Sequence, residues 1–298
     1  MAGRPVLDKY TKLADTETGL PSTGRLRLFL EGGVGTGKTF FGASWPRAAF
    51  LDIEHKTSAI RKLGEGSMLF HFKTGREYLD LINELVKDGQ AGKCPFDTVV
   101  IDTVMGLRDK VKDYLTEWYR EKGLLKEESW DITDYKSDGA GWSCLNTTFS
   151  DLFERIYHQG GLGWIALDHI SPKWRKVGGG ESCFWESSLN PAILGYFHKQ
   201  CEFCAYFETG LDEVSVKLPP KALGTGKVIP GGVGKETRKI YKLAFLPPGS
   251  KLPDRVHIPF ELPALTIPEG QGFETFNKAY QAAKAAWEKT EKETESGK

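Results

Sequence analysis

Gly32, Gly33, Val34, Gly35, Thr36, Gly37, Lys38 and Thr39 satisfy the spacing G-x-x-x-x-G-K-[ST]. They follow an apolar run, LRLFLE, and precede a segment with helical spacing, which is the setting such a loop needs to hold phosphate. Glycines let the backbone turn so that successive N–H groups face phosphate oxygens, and the start of a helix adds its positive end. On this reading the stretch from Gly32 to Phe40 holds the phosphates of ATP, Lys38 reaches the β and γ groups, and the Thr39 hydroxyl ligates Mg2+. A glycine turn with a surface lysine is the plain alternative. GTGK at 224–227 and GGVGK at 231–235 share letters with the loop, but they lie among prolines and lead into strand-like sequence. Neither is read as a phosphate loop.

Magnesium beside a phosphate loop calls for a carboxylate that holds its water shell. Asp102 ends the β-branched run TVVID, where a buried strand exposes its polar end at the carboxyl edge of an open sheet; a capping aspartate is the other reading. ATP hydrolysis also needs a group that orients and deprotonates water. FLDIEH offers Glu54 and Asp52. Strand alternation turns both to one face, so Glu54, nearer the strand's end, is preferred.

The elements that must position these groups alternate. Strands are expected at LRLFLE, AAFLDIE, DTVVID and GWIALDH, with helices from the glycine loop to Pro46, over Glu77–Lys87, over Met105–Lys122 and over Ser143–His158. This order predicts an α/β fold with a mainly parallel central sheet flanked by helices. Beyond His169 come a glycine-rich, aromatic loop and then the strand-like runs CEFCAYFE, EVSVKL and RKIYKLAF, which extend the sheet with partly antiparallel strands. The division is an N-terminal arm over 1–22, one domain over 23–268, and a C-terminal helix with a solvated, disordered tail over 269–298.

At 298 residues the chain is long enough for a sizeable core, and 40% hydrophobic with 27% charged residues is ordinary for a soluble protein. Mean hydropathy is -0.37. No run approaches a membrane span, and the N-terminus has no apolar leader, which makes the cytoplasm the expected location. Forty basic residues balance forty acidic ones, so any polyanion site is a local patch. Five cysteines (Cys94, Cys144, Cys183, Cys201, Cys204) are too few and scattered for a disulfide framework. Cys201 and Cys204 form a CxxC within strand-like sequence, and buried structural thiols are preferred over a metal or redox pair.

Taken together, GGVGTGKT, FLDIEH, TVVIDTVMGL and WIALDHISPK resemble the RecA-type ATPase core, and most closely the phage-encoded core-only RecA-like single-strand annealing proteins, a phage nucleotide-binding AAA ATPase family. The likeness spans roughly residues 24–265. It implies a RecA-like P-loop NTPase, a water-activating role for Glu54 and a magnesium role for Asp102. It also implies that a polar residue ending the fourth strand senses the γ-phosphate. Here that position holds Asp168 and His169, and histidine can donate to phosphate. The partners implied are single-stranded DNA, further copies of the chain in a ring or filament, and a single-strand binding protein.

The loop after His169 carries Lys173, Trp174, Arg175 and Lys176, followed by Phe184 and Trp185. Cations that neutralise phosphates beside aromatic faces that stack bases suit single-stranded nucleic acid; core packing of the aromatics is the alternative. Between Lys217 and Lys242 seven basic residues face the single acid Glu236. Lys235, Arg238 or Lys239 could serve as a finger reaching a neighbour's ATP, or the run is a solvated face. A small-molecule kinase with Arg175 on a lid, and a slowly hydrolysing switch or scaffold in replication, are the competing functions.

Overall fold

The structure is a computed structural model. It describes residues 22–55, 60, 62–136, 138–177, 180–217, 221–222, 228–229, 233–245, 260–268 and 271–296, with the backbone alone over 172–185, at 291, at 295–296 and at the described positions of 210–239. The expected arm over 1–22 thus lies outside the described residues except for Ser22.

In chain order the elements are β1 (Arg27–Gly32), α1 (Lys38–Ala43), β2 (Ala48–Asp52), β3 (Met68–Phe70), α2 (Gly75–Gln90), β4 (Thr98–Asp102), α3 (Val104–Glu121) and α4 (Ala140–Glu154). There follow β5 (Gly163–Val177), β6 (Gly180–Ser187), α5 (Pro191–Gln200), β7 (Phe203–Lys217), β8 (Lys221–Ala222), β9 (Val228–Ile229), β10 (Val233–Phe245), β11 (Leu265–Ile267) and α6 (Gly272–Ser296). The main sheet runs β11-β10-β7-β1-β5-β4-β2-β3, with β6 attached to β5. Strands β7, β1, β5, β4, β2 and β3 are parallel, and β10 and β11 extend the sheet antiparallel. The fold is α/β, a mainly parallel sheet flanked by helices and extended by antiparallel strands, with β5 lying between the strand that enters the glycine loop and the strand that ends in Asp102.

Strand alternation splits the core in two. Phe29, Ile101, Trp164 and Ala166 face the layer of α2, α3, α4 and α5. Leu28, Leu30, Val100, Ile165 and Leu167 face α1 and α6. Local signals fix the helix starts. Thr74 accepts from Glu77 N while Glu77 accepts from Thr74 N, a reciprocal cap. Asn190 caps α5 ahead of Pro191.

The structure departs from the sequence reading in four places. The segment after His169, read as a loop, is a β-hairpin: β5 continues to Val177 and pairs antiparallel with β6. CEFCAYFE and EVSVKL, read as separate runs, form the single strand β7. Strand β3 and helix α5 were not read, because three residues or ten carry little periodic signal. At the C-terminus, α6 continues through Ser296 where a disordered tail was expected, and its Phe276 and Tyr280 are fully buried in the core beside α1. Among the described residues no helix is long and apolar enough to cross a membrane.

Candidate active site

The glycine loop leaves β1 at Gly32 and enters α1 at Lys38. Gly32 is required by close approach, since a Cβ there would lie 2.7 Å from Thr36 Oγ1 and 2.9 Å from Phe207. Gly37 has φ +97, a conformation that L side chains rarely adopt. Thr36 Oγ1 donates to Gly33 O at 2.9 Å and closes the turn, while Val34 stands exposed at its tip.

Lys38 is buried. Its ammonium donates to Gly32 O at 2.6 Å and to Gly33 O at 2.8 Å, and stands 3.3 Å from Nδ1 of His169. An ammonium only donates, so in this contact Nδ1 is the acceptor. Nε2 of the same ring lies 3.5 Å from Glu54 Oε2. Glu54 Oε1 accepts from Thr103 Oγ1 at 2.8 Å, and the same hydroxyl caps α3 by accepting from Gly106 N. A connected path therefore runs from the loop lysine through His169 and Glu54 to the start of α3.

Thr39 Oγ1 donates to Asp102 Oδ2 at 2.6 Å. Burial is the first cause raising the Asp102 pKa above the ordinary aspartate value, opposed by the Thr39 hydrogen bond. A buried carboxylate beside a hydroxyl presents hard oxygen donors, which fits magnesium held through its waters. Thr103, not Asp102, caps α3, so the capping role does not account for the aspartate. The Asp102–Thr103 peptide is cis.

The side chains meet because of the register. Asp102 follows Val100 by two on β4, and His169 follows Leu167 by two on β5, so both turn to the α1 side where Lys38 and Thr39 emerge. Glu54 lies two residues beyond the end of β2, free of strand alternation, and bends toward His169. Asp52, on the strand, lies 3.7 Å from His71 Nδ1. The structure thus separates two carboxylates that alternation alone had placed on one face.

Sequence reasoning missed a second acidic pair behind the loop. Glu31 and Asp168 are opposite each other in the parallel pairing of β1 with β5, on the helix-layer face away from α1. Both are buried. Met105 N approaches Asp168 Oδ1 at 3.4 Å, while Glu31 Oε1 and Asp168 Oδ2 have no hydrogen-bond partner among the described residues. Burial raises Glu31 to about 7, with Asp168 adding to the rise, and raises Asp168 to about 6. An acid ending an otherwise apolar strand was the available signal. Thr103 could also have been found, as a helix-capping residue directly after the strand-ending aspartate.

Lys173, Trp174, Arg175 and Lys176 lie on β5 opposite Phe184, Cys183, Ser182 and Glu181 of β6. Lys235, Arg238 and Lys239 lie on β10 opposite Ser215, Asp212 and Leu211 of β7. The side chains of both groups lie outside the described residues. So do 223–227, which include the GTGK of 224–227, and 231–232 of GGVGK. Cys201 and Cys204 are buried and reduced, and burial raises the Cys201 thiol pKa, as suits structural thiols. No cluster of three or more His, Cys, Asp or Glu able to hold a metal occurs among the described residues.

The AAA_24 family, an AAA domain, matches residues 25–190, more than half of the chain and the whole of the loop, Glu54, Asp102 and His169. The chain belongs to this AAA domain family. Among solved structures, this AAA domain is similar to the crystal structure of a KaiC-like protein from the hyperthermophilic archaeon Pyrococcus horikoshii OT3. The identity is 15%, over 87% of this chain and 95% of that one, with a TM-score of 0.34. No curated protein matches the AAA domain chain.

Proposed function

We propose that this AAA domain binds and hydrolyses ATP, and that it does so while assembled with further copies of itself on single-stranded DNA, promoting annealing during recombination in the manner of the phage RecA-like proteins. The reading rests on one observation: Lys38 with Thr39, Glu54, Asp102 and His169 come from four separate places in the chain and converge at the carboxyl edge of one sheet. Phosphate oxygens compete with Gly32 O and Gly33 O for the Lys38 ammonium, which neutralises charge at the β and γ groups. Thr39 and Asp102 hold magnesium, whose chemistry when bound is to neutralise the phosphate oxygens. Glu54 accepts a proton from water, the water oxygen forms its bond to the γ-phosphorus, and the β–γ bridging oxygen leaves with ADP. His169, between Lys38 and Glu54, registers the γ-phosphate and passes its presence along β5 into the hairpin that bears Lys173, Trp174, Arg175 and Lys176.

In this reading a basic residue of β10, Lys235, Arg238 or Lys239, reaches the site of a neighbouring copy, a single-strand binding protein shares the DNA, and the protein works in the cytoplasm, that of the host if phage-borne. The test is steady-state ATP hydrolysis with and without single-stranded DNA, on wild type and Glu54→Gln. DNA-stimulated turnover that the variant loses is the expected result. Turnover indifferent to DNA, or a phosphorylated small-molecule acceptor in place of free phosphate, overturns it. Lys173→Ala with Trp174→Ala weakens single-strand binding and spares ATP affinity; undiminished DNA binding moves that site elsewhere.

A further inference from the structure

The reaction described above makes no use of the two acids buried behind the loop. Glu31 and Asp168 are opposite each other in the pairing of β1 with β5, and neighbouring strands stand only about 5 Å apart. Each acid directly precedes a residue of the site. Gly32 follows Glu31, and its carbonyl accepts from Lys38; His169 follows Asp168, and its ring stands 3.3 Å from the same ammonium. The pair is faced from every side. Tyr206 of β7 lies beyond Glu31 in the sheet, the Ser187 hydroxyl at the end of β6 donates to the Glu31 carboxyl, and Asp168 accepts from the backbone N–H of Met105 and of His169. The groups of opposite charge are Lys38, which acts on both acids, and His169, when protonated, on Asp168. After all these contacts Glu31 Oε1 and Asp168 Oδ2 are buried with no hydrogen-bond partner among the described residues. Two carboxylates confined in this way do not both stay charged, and one proton between them satisfies both oxygens. Its backbone donors make Asp168 the better anion, which leaves the proton on Glu31.

We propose that Glu31 and Asp168 form a hydrogen-bonded acid–carboxylate bridge that positions the site, holding the ends of β1 and β5 together and so fixing the loop lysine against His169. The proposal rests on the hydrolysis reading above and adds to it a pair that never touches the nucleotide. Once the proton is lost, two buried charges repel across the strands, the strand ends part, and Lys38 and His169 lose their common geometry. Small displacements suffice to slow a reaction that depends on alignment. Burial and Asp168 raise Glu31 to about 7, so the bridge is intact below neutrality and lost above it.

The experiment has two arms, both on the full chain, comparing wild type with Glu31→Gln, whose amide still donates to Asp168 without titrating. Infrared difference spectra between pH 6 and pH 8 are expected to show a protonated-carboxyl C=O band in wild type that the variant lacks. Steady-state ATP turnover with magnesium, at a temperature where both proteins are folded, is followed over the same range. The ratio of wild-type to variant kcat is expected to fall about tenfold from pH 6 to pH 8, as the protonated share of a group titrating near 7 does. His169 and Glu54 shape both profiles alike and cancel in the ratio. A wild-type spectrum without the band, or a band that survives in Glu31→Gln, overturns the shared proton. Turnover whose pH profile is the same in both proteins makes the pair structural and overturns the positioning role alone. No turnover at any pH overturns the hydrolysis reading and the positioning role with it.

Discussion

Replacing Glu31 by glutamine isolates the electrostatic cost of the acid behind the loop. Glu31 is 2% exposed and its pKa rises from 4.5 to about 7, mainly by burial and further by Asp168, against a lowering by Ser187 and Lys38. Between those two values the folded protein holds a proton that the unfolded chain has released, so stability is fullest below pH 4.5 and falls as the pH climbs to about 7. At about 1.4 kcal/mol per tenfold in proton affinity, the loss at pH 8 reaches a ceiling of about 3 kcal/mol. Glutamine has no ionisation to suppress, but burying its amide carries a penalty of its own, which leaves a net gain of about 1–2 kcal/mol at pH 8. At pH 5 the gain vanishes. Thermal melts of the two proteins at pH 5, 6, 7 and 8 read this directly, and for a chain of this size the gain corresponds to several degrees at pH 8. Asp168, raised from 3.8 to about 6, gives both proteins a common loss at lower pH, so the difference between the melts is the quantity to follow. A difference that is the same at every pH refutes the reasoning, and so does a variant that melts below wild type at pH 8.

Lys38→Ala is expected to reduce ATP turnover by at least about a hundredfold, since the only cation described in the loop is removed; phosphate release assays measure it. Thr103→Val leaves Glu54 without the hydroxyl that holds Oε1, so kcat falls by about tenfold with KM nearly unchanged, and an unaltered kcat shows that Thr103 does not position the base. At the opposite edge of the sheet, Arg27 donates to Glu202 Oε1 through Nε at 2.9 Å and through Nη2 at 2.6 Å, both side chains being buried. Glu202→Ala leaves that guanidinium unpaired, at a cost of about 3–5 kcal/mol in urea unfolding, and the further change Arg27→Ala recovers part of it.

The sequence by itself determined the chemistry of the loop. Eight contiguous residues fix the backbone turn and the ammonium, and local order of strand, loop and helix is encoded in apolar periodicity over a few residues. It also determined that Asp102 ends a buried strand. What it left open was decided by register and by pairing between distant segments. Alternation made Asp52 and Glu54 equivalent, and only the end of β2 at Asp52 freed Glu54 to turn toward His169. The β5–β6 hairpin was read as a loop because its glycines and Pro172 are local turn signals, whereas its hydrogen bonds come from the facing strand. The Glu31–Asp168 pair joins residues far apart in the chain, and Tyr241 reaches Gly37 from more than two hundred residues away through β7. Such contacts have no signature within any window of sequence, because the free energy that forms them lies in the packing of one whole sheet.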